Sequence, residues 1–126
     1  MKMLKLASLG LSLAVSLAAT TAHADGDVKK GEKVFKKCTA CHTIEQGGKN
    51  KIGPNLFGVV GKKSGSVEGY NYSKAMEAAD LTWDDETLNA YLKKPKKVVK
   101  GTKMSFAGLK KESDRENLIA YLKTFQ

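Results

Sequence analysis

The sequence predicts an all-α fold, a few helices joined by long glycine-rich loops. Apolar residues recur at helical spacing near both ends of the domain, and a third helical pattern is stopped by a proline. The glycine-rich middle holds no run that alternates well enough to be a strand. With 41% hydrophobic and 28% charged residues, the 126-residue chain has the composition of one soluble globular domain.

The first 24 residues stand apart from that domain. Met1 to Lys5 holds two lysines and no acid, Leu6 to Ala19 is an apolar stretch of 14 residues, and Ala22-His23-Ala24 is a small-x-small site. Residues 1–24 therefore read as a secretory signal peptide, too short for a membrane span of about 20 apolar residues. Processing would leave residues 25–126 as the domain, in an exported, periplasmic setting. It would lower the formal charge from +9 to +7, since Lys2 and Lys5 leave with the leader. His23 leaves too, so His42 becomes the single histidine beside two cysteines, Cys38 and Cys41. That inventory excludes a multi-cysteine disulfide framework, a multi-histidine metal site and any Ser-His-Asp triad independent of His42. A domain of this size buries only a modest core unless something else adds apolar volume.

Within the domain, Val28, Gly31, Phe35 and Cys38 fall on one face of a helix from about Asp27 to Lys37. Ser73 to Ala79 and Lys96 to Val99 read as short helical turns. Between them, a helix from Asp84 or Asp85 to about Lys94 has acids in its first turn and Leu88, Tyr91 and Leu92 on its apolar side. Pro95 ends it. At the far end, Ser113-Asp114-Arg115-Glu116 has the form of a capping box, followed by Leu118, Tyr121, Leu122 and Phe125 at helical spacing. From Gln46 to Gly69 seven glycines punctuate what reads as loop. Loops that long need something to wrap around, which points to a cofactor.

Cys38-Thr39-Ala40-Cys41-His42 supplies the candidate. C-x-x-C-H is the attachment signature of a c-type haem. Two thiols three residues apart can add across the two vinyl groups on one porphyrin edge, and the next residue then offers an imidazole to the iron. Three other readings compete. A closed zinc site wants four ligands, and the domain has no further thiol or imidazole to complete the set. A redox dithiol uses C-x-x-C on a βαβ scaffold that is not evident here. A plain disulfide suits an exported protein but leaves the adjacent histidine unexplained.

Several motifs in order make the chain similar to class I c-type cytochromes, specifically the bacterial cytochrome c2 branch that resembles mitochondrial cytochrome c. The resemblance covers nearly all of Gly26 to Phe125. It rests on Gly26-Asp27-Val28, Gly31 with Phe35, Cys38 to Thr43, Gly53-Pro54-Asn55-Leu56, Gly69-Tyr70-Asn71-Tyr72, Trp83, Tyr91-Leu92 with Pro95, Gly101-Thr102-Lys103-Met104 and Leu118 to Leu122. It implies one haem c held through Cys38 and Cys41, with His42 as the proximal ligand and the Pro54 carbonyl orienting the imidazole. Two methionines remain in the domain. Met76 lies in a short helix among alanines and reads as core, whereas Met104 lies in a loop after a proline-broken helix; the resemblance makes Met104 the second axial ligand.

By the same resemblance, Tyr72 and Trp83 bond a haem propionate and Tyr91 approaches the methionine sulfur, although each also reads as aromatic core. Asn71 and Thr102 are further members of that network. Gly31 and Phe35 are expected to pack the first helix on Leu118 and Tyr121. Three departures stand out. The segment from Phe35 to Cys38 is one residue shorter than in the mitochondrial proteins. Lys62 replaces an arginine near a propionate, losing the planar fork. Met76 replaces an asparagine.

Two protein axial ligands leave no open metal position, which implies electron transfer and not catalysis. The enzyme-class rival, a peroxidase-like haem protein, would need a displaceable Met104 and a distal His or Arg pair that the chain does not show. The positive charge is compatible with a merely solvated surface. By resemblance, however, Lys33, Lys37, Lys49, Lys51, Lys96, Lys97, Lys103, Lys110 and Lys111 ring the exposed haem edge. They would steer a monomeric carrier, with no nucleic-acid role, to membrane redox complexes: a bc1-type donor, and a terminal oxidase or photosynthetic reaction centre as acceptor.

Overall fold

The computed structural model describes Gly10, residues 12–14 and residues 26–126. The signal-peptide reading of residues 1–24, and its boundary, lie outside the described residues apart from those four positions. Among the described residues no helix is long and apolar enough to cross a membrane.

Five helices follow in chain order: α1 (Val28–Phe35), α2 (Lys74–Ala78), α3 (Asp85–Lys93), α4 (Pro95–Val98) and α5 (Glu112–Lys123). Asp27 starts α1, its carboxylate accepting the Lys30 N–H at 2.9 Å. Ser73 and Asp84 cap α2 and α3 in the same way, through the Met76 and Thr87 N–H groups. Pro95 both closes α3 and opens α4, since a proline is tolerated where no N–H is required. The middle of the chain is loop, and its extended pairing is confined to an isolated bridge between Lys63 and Thr82.

The frame is a clasp between the first and last helices. A Cβ on Gly31 would lie 1.9 Å from the Asn117 carbonyl oxygen and 2.7 Å from Tyr121 Cβ, so only glycine lets these backbones meet. Asn117 also accepts the Asp27 N–H at 2.7 Å, and the Phe35 and Tyr121 rings pack with centroids 5.4 Å apart. Leu118 is 1% exposed and, with Ile119 and Leu122, joins Phe35 and Leu88 in the core. α3 packs on α5 and α4 on α3.

Three local expectations need correction. α1 ends at Phe35, and the chain tightens into turns before Cys38. Val28 is exposed, because the contact with α5 runs through Gly31 and Phe35. The capping box does not form. α5 begins at Glu112 with Lys111 at its cap position and no side-chain cap, leaving Ser113 inside the first turn. Glu112 and Asp114 answer the helix dipole there instead. Arg115 is buried, giving its N–H groups to Asn89 Oδ1 at 2.7 Å, the Leu109 carbonyl at 2.7 Å and the Lys110 carbonyl at 3.0 Å. A guanidinium sealed in this way is satisfied by neutral oxygens, and it ties the chain entering α5 to α3.

Candidate haem site

Beyond α1 the backbone wraps the C-x-x-C-H segment into a tight turn. Cys38 N–H donates to the Phe35 carbonyl at 2.8 Å, and the Cys38 carbonyl accepts from both Cys41 N–H (3.1 Å) and His42 N–H (2.9 Å). The turn delivers both thiols and the imidazole to the wall of one cavity of about 220 Å³. Cys38, Cys41, His42, Pro54, Tyr72, Trp83, Tyr91 and Met104 all border that cavity, as does Thr102, whereas Asn71 does not line it.

The imidazole is fixed from two directions. His42 Nδ1 lies 2.8 Å from the Pro54 carbonyl oxygen. A carbonyl can only accept, so Nδ1 carries a proton, and in the neutral imidazole Nε2 keeps its lone pair. A Cβ on Gly53 would lie 2.3 Å from His42 Cε1, so glycine is required for the ring to sit where it does. Burial holds the His42 pKa below the ordinary histidine value; the Pro54 bond opposes that shift and Lys51 adds to it. That direction favours the neutral ring.

Burial, with Cys41 adding to it and Lys37 opposing, pushes the Cys38 thiol up to about 11. A redox dithiol works through a thiol with a lowered pKa, so this environment speaks against that reading. Among the described residues no group of three or more His, Cys, Asp or Glu side chains is gathered for a metal ion, as the zinc reading would need.

The thioether side is built by the chain after α4. Tyr91 on α3 is buried, its hydroxyl 3.8 Å from Met104 Sδ and 3.1 Å from Thr102 Oγ1. Thr102 Oγ1 also accepts the Met104 N–H at 3.3 Å. Burial raises the Tyr91 pKa, and the Thr102 bond opposes it. Trp83 leans on Tyr91 with ring centroids 4.9 Å apart. The Tyr72 hydroxyl accepts the Val67 N–H at 3.0 Å, and its own proton is left to donate. Lys62, also on the cavity wall, gives its ammonium to the Phe57 carbonyl at 3.1 Å. Met76 packs against the core and lines the cavity as well, so what distinguishes Met104 is its contact with Tyr91.

The donor set fits a haem c: two thiols, one imidazole lone pair and one thioether around a cavity walled by Phe35, Leu56, Val59, Leu92 and Phe106. The sequence profile of the family described as Cytochrome c matches residues 28–126. The chain belongs to the cytochrome c family. Cytochrome c2 of Rhodomicrobium vannielii is 49% identical over 124 residues, covering 98% of this chain and 97% of that protein. Cytochrome c-554 of Methylosinus trichosporium is 46% identical over 125 residues, covering 99% and 95%. Among solved structures, cytochrome cH from Methylobacterium extorquens superposes with a TM-score of 0.75 at 48% identity, covering 79% of this chain and 99% of that one. The all-α class I cytochrome c fold, covalent haem c as cofactor and an electron-carrying, non-enzymatic function follow from that membership.

Sequence reasoning missed three contributors. Gly53 was legible as a loop residue, but its closeness to His42 is not. The burial of Arg115 depends on carbonyls from another segment. Lys103 reads from the sequence as one of the docking lysines, and what that reading misses is that its ammonium donates to the Asn71 carbonyl and lies 4.6 Å from the Tyr70 ring centroid.

Proposed function

We propose that this cytochrome is a periplasmic one-electron shuttle, exported by the leader at residues 1–24. Cys38 and Cys41 hold haem c through thioether bonds, and His42 and Met104 are its axial ligands. Bound haem supplies a one-electron Fe(II)/Fe(III) couple. The observation that carries this reading is the convergence of both thiols, the lone-pair nitrogen of a carbonyl-anchored imidazole and the Tyr91-contacted thioether on one apolar cavity. A soft thioether and burial both favour the reduced metal and so raise the potential. With His42 and Met104 in place, no coordination position is left for a substrate.

The lysines named above are all exposed, and Lys37 and Lys103 border the cavity. They support docking on membrane redox complexes, with a bc1-type complex as donor and a terminal oxidase or photosynthetic reaction centre as acceptor. Electrostatic steering of this kind weakens as salt screens it, over a Debye length of about 8 Å at physiological ionic strength. Two measurements test the proposal. The purified periplasmic protein, made with haem-maturation machinery, keeps its haem through denaturation and acid-acetone extraction. Its reduction by bc1-containing membranes slows as salt rises. Extractable haem would refute thioether attachment, and salt-independent rates would refute the lysine docking face.

A further inference from the structure

Tyr70 is not among the ligand-contacting residues above, yet contacts from two other segments and from neighbouring Tyr72 converge on it. Its hydroxyl donates to the Ile52 carbonyl at 2.6 Å. Its ring stands edge-on to Tyr72, with centroids 4.7 Å apart. The Lys103 ammonium lies 4.6 Å from its centroid while donating to the carbonyl of the next residue, Asn71. The residue immediately before Met104 is therefore held by an aromatic face and a carbonyl belonging to one dipeptide.

That dipeptide is also tied to the His42 side. Ile52 immediately precedes Gly53 and Pro54, the two residues that set the imidazole. Asn50 adds a second tie, its amide donating to the Glu68 carbonyl at 3.2 Å while its oxygen accepts the Asn55 N–H at 2.9 Å. Segment 68–71 is thus a strap from the loop that orients His42 to the loop that carries Met104. Met104 has contacts of 3.8 Å at sulfur and 3.3 Å at nitrogen, and its carbonyl accepts the Phe106 N–H at 3.0 Å within the same loop, so Lys103 is the tie that joins this loop to segment 68–71.

We infer that Tyr70 is a positioning residue for Met104, acting through Lys103 and anchored on Ile52. The inference rests on the reading of Met104 as axial ligand. Fixing the Lys103 side chain restricts the backbone it shares with Met104 and lowers the population of loop conformations in which the sulfur is withdrawn. Removing the anchor enlarges that population, and a ligand that binds only the withdrawn form gains affinity in proportion.

The test is an imidazole titration of the oxidised, haem-loaded protein, followed by loss of the thioether-to-iron charge-transfer band. Tyr70→Leu is expected to tighten imidazole binding about tenfold. Tyr70→Phe, which keeps the ring beneath Lys103 and loses only the Ile52 bond, is expected to tighten it about threefold. Lys103→Leu, which also loses the Asn71 bond, should tighten it at least as much as Tyr70→Leu, and the double variant should bind no more tightly than Lys103→Leu alone, because Tyr70 acts through Lys103. A merely structural tyrosine would lower the unfolding midpoint and leave imidazole affinity within about twofold of wild type. That result, or additive effects in the double variant, overturns the inference. If Tyr70→Leu does not fold, Tyr70→Phe and its combination with Lys103→Leu give the same decision. A wild-type protein without the band would instead fail the ligand reading beneath it.

Discussion

On the His42 side of the cavity, the chain leaves a helix clasped to α5, closes a tight turn, and meets a carbonyl at 2.8 Å and a glycine that admits the ring. On the Met104 side, a loop reaches the cavity with one hydroxyl 3.8 Å from its sulfur and a lysine tethered to a neighbouring loop. The first is fixed by covalent proximity and backbone geometry. The second is held by side-chain contacts that each contribute about 1 kcal/mol. A single site thus combines a firmly set imidazole with a more loosely held thioether, and substitutions on the two sides should differ in kind as well as in size.

The largest effect belongs to the clasp beneath the His42 side. Gly31→Leu places a side chain where the Asn117 carbonyl oxygen already lies 1.9 Å from an ideal Cβ. Overpacking outweighs the gain of about 1 kcal/mol in helix propensity, and a net loss of about 3 kcal/mol or more is expected by denaturant unfolding. Wild-type stability in that variant would mean that α1 and α5 do not meet as described. Next comes Gly53→Ala, which drives a methyl into the His42 ring and should destabilise by about 2 kcal/mol. It should also disturb the oxidised spectrum, because the ring cannot keep its Pro54 bond; an unaltered spectrum would argue that the ring is not confined there.

A smaller change is expected across the cavity. Tyr91→Phe removes the hydroxyl that touches Met104 Sδ and Thr102 Oγ1, at a cost of about 1 kcal/mol and no change in denaturant slope. A loss as large as that of Gly53→Ala would erase the distinction between the two sides.

The same contrast governs how far the site could be read from the sequence. Cys38, Cys41 and His42 are adjacent in the chain, so a local signature is enough to find them. Pro54 and Met104 needed resemblance to a family, because their distance from the turn is bridged only by folding. Nothing local marks Gly53 as the residue that faces the imidazole, or Tyr70 as the support beneath Lys103, since each relation exists only between loops. The helices were legible where caps and apolar spacing agree, as in α3. They were misread where a long-range contact decides: Arg115, sealed against the Leu109 and Lys110 carbonyls, sits in what reads locally as a capping box.

Which groups hold the metal is tested most directly by the oxidised spectrum of Met104→Ala beside that of the wild type. The wild type should show the weak thioether-to-iron charge-transfer band. Met104→Ala should lose it while keeping covalent haem, since Cys38, Cys41 and His42 are untouched. A band that persists in Met104→Ala, or is missing from the wild type, would contradict the assignment of Met104 as an axial ligand.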